Sequence, residues 1–96
     1  MNIKILTPAK VDIFNGADFY ESQSQGLGKY FLNTIFSDIE SLRIYCGVHI
    51  KIETYYRLLS KRFPYAIYYK YDRETVFIYA ILDTRSNPVY ISGRLS

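Results

Sequence analysis

The feature that most limits what this chain can fold into is a change of hydrophobic period near Gly47. Before it, apolar residues recur every three or four positions. After it, they alternate or run continuously in short stretches bounded by turn residues. One chain of 96 residues therefore spends its first half on helices and its second half on strands. That length supports one hydrophobic core and one domain, residues 1–96.

The helical half opens with a short β-branched stretch, Ile3 to Thr7, stopped by Pro8. This reads as a first strand, with Thr7 as the cap and Pro8 as the first residue of a helix. Over residues 9–25, Ile13, Ala17 and Tyr20 lie at helical spacing, with Asp12, Asp18, Glu21 and Ser24 left for solvent. Gly16 interrupts that helix and permits a close approach by a neighbour. Gly26-Leu27-Gly28 breaks the pattern, and a second helix follows over residues 29–45, striped by Leu27, Phe31, Ile35, Ile39 and Leu42. So short a link makes the pair an antiparallel hairpin, ended by Gly47 in the left-handed conformation. The Gly-x-Gly lies between helices rather than after a strand, which excludes a dinucleotide fingerprint.

The second half contains strand candidates at 52–59, 65–71 and 76–82. The polar turn Asp72-Arg73-Glu74 joins the last two as an antiparallel hairpin. Strict alternation puts Val76, Ile78, Ala80 and Leu82 on one face, toward the helices. Phe77, Tyr79, Ile81 and Asp83 then fall on the exposed face. After Asn87-Pro88, a short final strand is expected over 89–92. The fold class is thus α+β: an N-terminal strand and an antiparallel helix hairpin packed on a mainly antiparallel sheet of about four strands.

Charge is divided unevenly along the chain. Residues 1–48 carry four cations and five carboxylates, whereas residues 49–96 carry eight cations and four carboxylates, so the formal charge of +3 belongs to the strand half. A positive field of this kind favours nucleic acid or an acidic protein partner. Eleven tyrosines and no tryptophan add rings whose hydroxyls need partners or water. Arg57, Lys61, Arg62, Arg85 and Arg94, with Tyr55, Tyr68 and Tyr79 in matching strand parity, form a candidate set that holds phosphates or an anionic target while rings stack on bases. The plainer reading is that Arg57 and Lys61 protect a strand edge from aggregation and that the tyrosines fill a small sheet.

Other chemistry finds little support. Cys46 is alone, which excludes an internal disulfide and makes it a small core filler. His49 is the single histidine and reads as a surface or half-buried connector, so no metal or other cofactor is expected. No nucleophile stands in a triad order. The first eight residues are too short an apolar run for a signal peptide, and no stretch is long enough to span a bilayer. Residence in the cytoplasm, without membrane contact, is the expectation.

Three segments, taken in order, resemble one family: Tyr20-Glu21-x-Gln23-x-x-Gly26-Leu27-Gly28-x-x-Phe31, then Arg62-Phe63-Pro64-Tyr65-x-Ile67-Tyr68-Tyr69, then Tyr79-Ala80-Ile81-Leu82-x-Thr84-Arg85-x-Asn87-Pro88, with Arg94-Leu95 at the end. They are similar to the RelE/ParE superfamily of toxins from type II toxin–antitoxin systems, over nearly the whole chain. The resemblance implies a RelE-like fold, growth inhibition, a role of the plasmid-stabilisation kind and a cognate antitoxin whose extended segment wraps the toxin. It implies one of two targets, DNA gyrase for ParE-like members or mRNA on the ribosome for RelE-like members. Relatives often carry His-x-Arg-Arg where this chain has Asp83-Thr84-Arg85-Ser86. Cleaving RNA needs groups that move protons and stabilise a phosphorane. Asp83 and Tyr90 are the residues left to transfer a proton, and a carboxylate beside a phosphate repels it unless it serves as the base. The departure favours the ParE-like activity. An mRNA endoribonuclease and an inactive domain that keeps only antitoxin binding are the alternatives.

Overall fold

The computed structural model describes residues 1–96. The chain runs β1 (Asn2–Ile5), α1 (Thr7–Gln23), α2 (Leu27–Glu40), α3 (Leu42–Tyr45), β2 (Lys51–Ile52), β3 (Tyr55–Leu59), β4 (Tyr65–Tyr71), β5 (Thr75–Asp83) and α4 (Pro88–Leu95). Five strands form one sheet in the order β1-β5-β4-β3-β2. β1 pairs parallel to β5, and every other neighbour is antiparallel. A parallel neighbour needs a crossover, and the hairpin of α1 and α2 supplies part of it.

The hairpin buries its stripe against one sheet face. Ala9, Ile13 and Ala17 of α1, Phe31, Ile35 and Ile39 of α2, and Leu42 of α3 meet Ile67 and Tyr69 of β4 and Val76, Ile78 and Ile81 of β5. Each fully buried large apolar side chain here stabilises the fold by roughly 1.5–3 kcal/mol. Gly16 has the close-packing role its position suggests, since a Cβ there would lie 2.7 Å from Phe31 Cζ. The turn into α2 is held by Glu21, whose carboxylate accepts from the Gly26 N–H at 3.1 Å and the Gly28 N–H at 2.9 Å. Gly26, at φ 86°, supplies the left-handed step that L side chains disfavour. At the other end Gly47, at φ 89°, is the left-handed residue expected.

Several sequence expectations change. Thr7 is not the cap: Leu6 still donates its N–H to Ile78 O at 3.0 Å, so the strand ladder holds Leu6 extended and Thr7 is already helical. The expected strand over 52–59 is two strands, because the chain reverses at Glu53-Thr54, where Glu53 takes φ 60° and Ile52 pairs with Tyr55.

The faces of β5 also differ from strict alternation. Tyr68 pairs with Ala80 but Tyr69 pairs with Ile78, so Tyr79 is an extra residue in a β-bulge. Parity flips there. Val76 and Ile78 face the helices, as does Ile81, whereas Ala80 and Leu82 face the other way.

The expected final strand over 89–92 is helix α4 instead. Asn87 caps it through an Oδ1 that accepts from the Val89 N–H at 2.8 Å, and Pro88 sits in its first turn. α4 lays Ile91 and Leu95 over Ala66, Tyr68, Ala80 and Leu82 on the outer face. That face is therefore partly covered.

Candidate target-binding surfaces

The five candidate cations do not converge on one point. Arg57 leaves β3 on the outer face opposite Tyr68. It lines a groove of about 280 Å³ between that face and α4, with Ile52, Glu53, Tyr68, Ser86 and Leu95. Its Nε is buried and has no hydrogen-bond partner. A buried donor left in this state costs free energy unless a ligand or water completes it. Beside the groove, burial pushes the Tyr68 phenol above its usual range, with the Arg57 charge opposing. Farther along the same face Tyr55 and Tyr79 meet edge to face at 5.1 Å, and Lys70 Nζ lies 4.5 Å from the Tyr55 ring centroid. The parity expected for Tyr55, Tyr68 and Tyr79 is thus present.

Asp83, Tyr90 and Ser86 line a second cleft of about 270 Å³, against Asp12, Gly16 and Tyr65. Ser86 belongs to both linings, so the two depressions adjoin. Arg85 folds back on Asp83: its Nε donates to Oδ1 at 3.0 Å and its Nη2 to Oδ2 at 2.8 Å, while the Arg85 N–H also donates to Oδ1. Those bonds hold the Asp83 carboxyl below its usual range and raise the Arg85 guanidinium further above neutrality. Burial, with the Asp83 charge, pushes the Tyr65 phenol up to about 12. Burial likewise raises Tyr20. The group best placed to act as a base is therefore ionised, paired and weakly basic.

Arg94 is also committed. Its Nη1 and Nη2 donate to Asp12 at 2.9 and 2.7 Å, and Nη1 donates to the Tyr90 hydroxyl at 3.0 Å. The helical pattern leaves Asp12 for solvent, but its side chain is only 10% exposed. The reason lies at the sheet edge. β1 stops pairing with β5 near Ile78, so the Ile81 N–H beyond it has no strand partner and donates instead to Asp12 Oδ2 at 3.0 Å. One carboxylate thus ties α1 to β5 and to α4. A periodicity argument misses this, because a lone Asp on the polar side of a helix carries no signal of a distant arginine.

Lys61 and Arg62 lie elsewhere, on the helix side, in a cavity of about 590 Å³ with Tyr30, Asp38 and His49. Arg62 donates to the Tyr30 hydroxyl at 2.7 Å. His49 takes the half-buried of its two expected placements, and its Nδ1 lies 2.5 Å from the Tyr69 hydroxyl. Cys46 is part-buried at the edge of the core. No three His, Cys, Asp or Glu side chains gather in a metal-holding group, and no helix is long and apolar enough to cross a membrane.

Fold and surfaces together define a small α+β class: a helical hairpin covers one face of a five-stranded sheet, and a short C-terminal helix shields part of the other, next to an arginine whose Nε is buried. The structure is similar to a chain of the chromosomal ParDE TA system from P. aeruginosa, with a TM-score of 0.69 over 84% of this chain and 92% of that one, at 15% sequence identity. That likeness shows the fold, which is the α+β arrangement expected from the sequence. No protein-family model and no curated protein matches the sequence.

Proposed function

We propose that this chain is the toxin of a type II toxin–antitoxin pair, acting in the cytoplasm in the ParE-like manner by binding an essential target such as DNA gyrase, and silenced by a cognate antitoxin. The likeness to a ParDE chain and the three sequence segments support the toxin class. The observation that carries the choice of activity is the Asp83–Arg85 pair. It consumes both the candidate base and a candidate phosphate-binding cation, and a group whose proton affinity is lowered in this way is a poor base. Arg94 is similarly taken by Asp12. What remains on the outer face is a recognition surface, with Arg57 in a partly apolar groove. A segment that binds only the folded chain also stabilises it, as an antitoxin does.

A second reading, a RelE-like mRNA endoribonuclease, draws support from one feature. The unpartnered Arg57 groove meets the Tyr90 cleft at Ser86, so a phosphate on Arg57 would have a phenol in the adjoining cleft. The third reading is an inactive domain that keeps only antitoxin binding.

Inducing the chain alone separates them. The proposal expects growth arrest with unchanged 5′ ends on translated mRNA in primer extension. New ends within reading frames support the nuclease reading, and harmless expression supports the inactive one.

A further inference from the structure

The cavity between α2 and the connection from β3 to β4 holds chemistry that neither the outer groove nor the Asp83 cleft uses. Lys61 is exposed and makes no ion pair or side-chain hydrogen bond, and Arg62 bonds only to a neutral phenol. These two cations therefore differ from Arg85 and Arg94, each of which is paired with a carboxylate.

His49 adds a third nitrogen. The Tyr69 oxygen accepts the Gly47 N–H at 2.9 Å and lies 2.5 Å from His49 Nδ1. Either tautomer satisfies that contact, and the neutral ring carries one N–H donor. Burial lowers the His49 pKa and favours that neutral form. One carboxylate, Asp38, lines the same cavity, but it is buried and its Oδ2 accepts from the Ser60 hydroxyl at 2.7 Å. Tyr45 is 56% exposed and belongs to the same lining, so it offers a free ring face. Unpaired cations beside a free ring are what a phosphate joined to a base requires.

We propose that this cavity is a nucleotide-binding site, with the phosphate held by Lys61 and Arg62 and the base stacked on Tyr45. The nucleotide is either free or one unit of a single strand. The volume of about 590 Å³ lies within the range of small-molecule sites. The site stands apart from the toxin reading, because a chain without toxicity keeps the same cavity.

Titrating the purified chain with AMP and, separately, with labelled hexauridylate tests the proposal. Binding of AMP alone marks a free nucleotide, and binding of the oligomer alone marks a single strand; either supports the site. Lys61→Ala/Arg62→Ala is expected to weaken binding by about tenfold or more, and to reduce the salt slope for the oligomer by about 1.4. Tyr45→Ala is expected to weaken it by about fivefold or more. Lys10→Ala, which removes an exposed α1 cation outside the cavity, leaves it unchanged. Circular dichroism checks that each variant is folded. The proposal is overturned if neither probe binds at millimolar concentration, if the double variant binds as the parent does, or if Lys10→Ala weakens binding as much as the double variant.

Discussion

Asp12→Ala is the substitution whose effect the structure fixes most closely. The Asp12 carboxylate accepts from the Ile81 N–H at 3.0 Å and from both terminal nitrogens of Arg94 at 2.9 and 2.7 Å. Removing it strands the Ile81 N–H at the edge of β5, a loss of about 1–3 kcal/mol. The ion pair, with side chains 10% and 25% exposed, falls between two limits. Exposed pairs contribute about 0–1 kcal/mol, whereas breaking a fully buried pair costs about 3–5 kcal/mol. Arg94 keeps the Tyr90 hydroxyl and some water, so about 1–2 kcal/mol is the reasonable share here. The sum is about 3 kcal/mol, which in a domain of this size lowers Tm by roughly 12–24 °C. Asp12→Asn retains an acceptor for Ile81 and is expected to lose only about 1 kcal/mol. Urea unfolding followed by circular dichroism measures both, and a cycle with Arg94→Ala isolates the pair term. The reasoning fails if Asp12→Ala costs less than about 1 kcal/mol, or if Asp12→Asn costs as much as Asp12→Ala.

Three further outcomes follow from the packing and capping. Gly16→Ala gains about 1 kcal/mol of helix propensity but drives a Cβ to 2.7 Å from Phe31 Cζ, in a ring cluster closed by Tyr20, Phe63 and Tyr65. Overpacking of about 1–3 kcal/mol wins, so the variant melts lower than the parent, and a higher Tm would refute the tight contact. Glu21→Ala removes the acceptor for the Gly26 and Gly28 N–H groups and is expected to cost about 1 kcal/mol in urea unfolding, whereas no change would show that water replaces the carboxylate. His49 has a folded-state pKa below its ordinary value because it is buried. Its contribution is present above the unfolded pKa, near 6.5, and is lost as pH falls through the lower folded value. His49→Gln is therefore expected to flatten the fall in stability below that point, and an unchanged pH profile would count against it.

Much of the fold can be read from local pattern. The stripe from Phe31 to Leu42, the left-handed Gly47 and the polar turn at Asp72 each act through near neighbours, and each stands where the sequence places it. The misreadings involve partners distant in sequence. Tyr79 looks like an ordinary alternating residue, and only the register against β4 makes it a bulge that turns Ala80 and Leu82 away from the helices.

Val89 to Ser92 is β-branched and aromatic enough to read as a strand. Asn87-Pro88 is nevertheless a cap and first-turn pair, and the Ile91 and Leu95 spacing fits a helix laid on the outer face. The candidate site was legible as a list of charges but not as an arrangement. Sequence alone does not pair Arg94 with Asp12, 82 residues apart, or separate Lys61 and Arg62 from Arg57.

The central claim is that this chain acts by recognition rather than cleavage. Its most direct test is supercoiling of relaxed plasmid by purified DNA gyrase with increasing amounts of the purified chain. The account predicts a graded loss of supercoiled product, reversed by the cognate antitoxin and weakened by Arg57→Ala. Full supercoiling at saturating concentrations of a folded chain would contradict it.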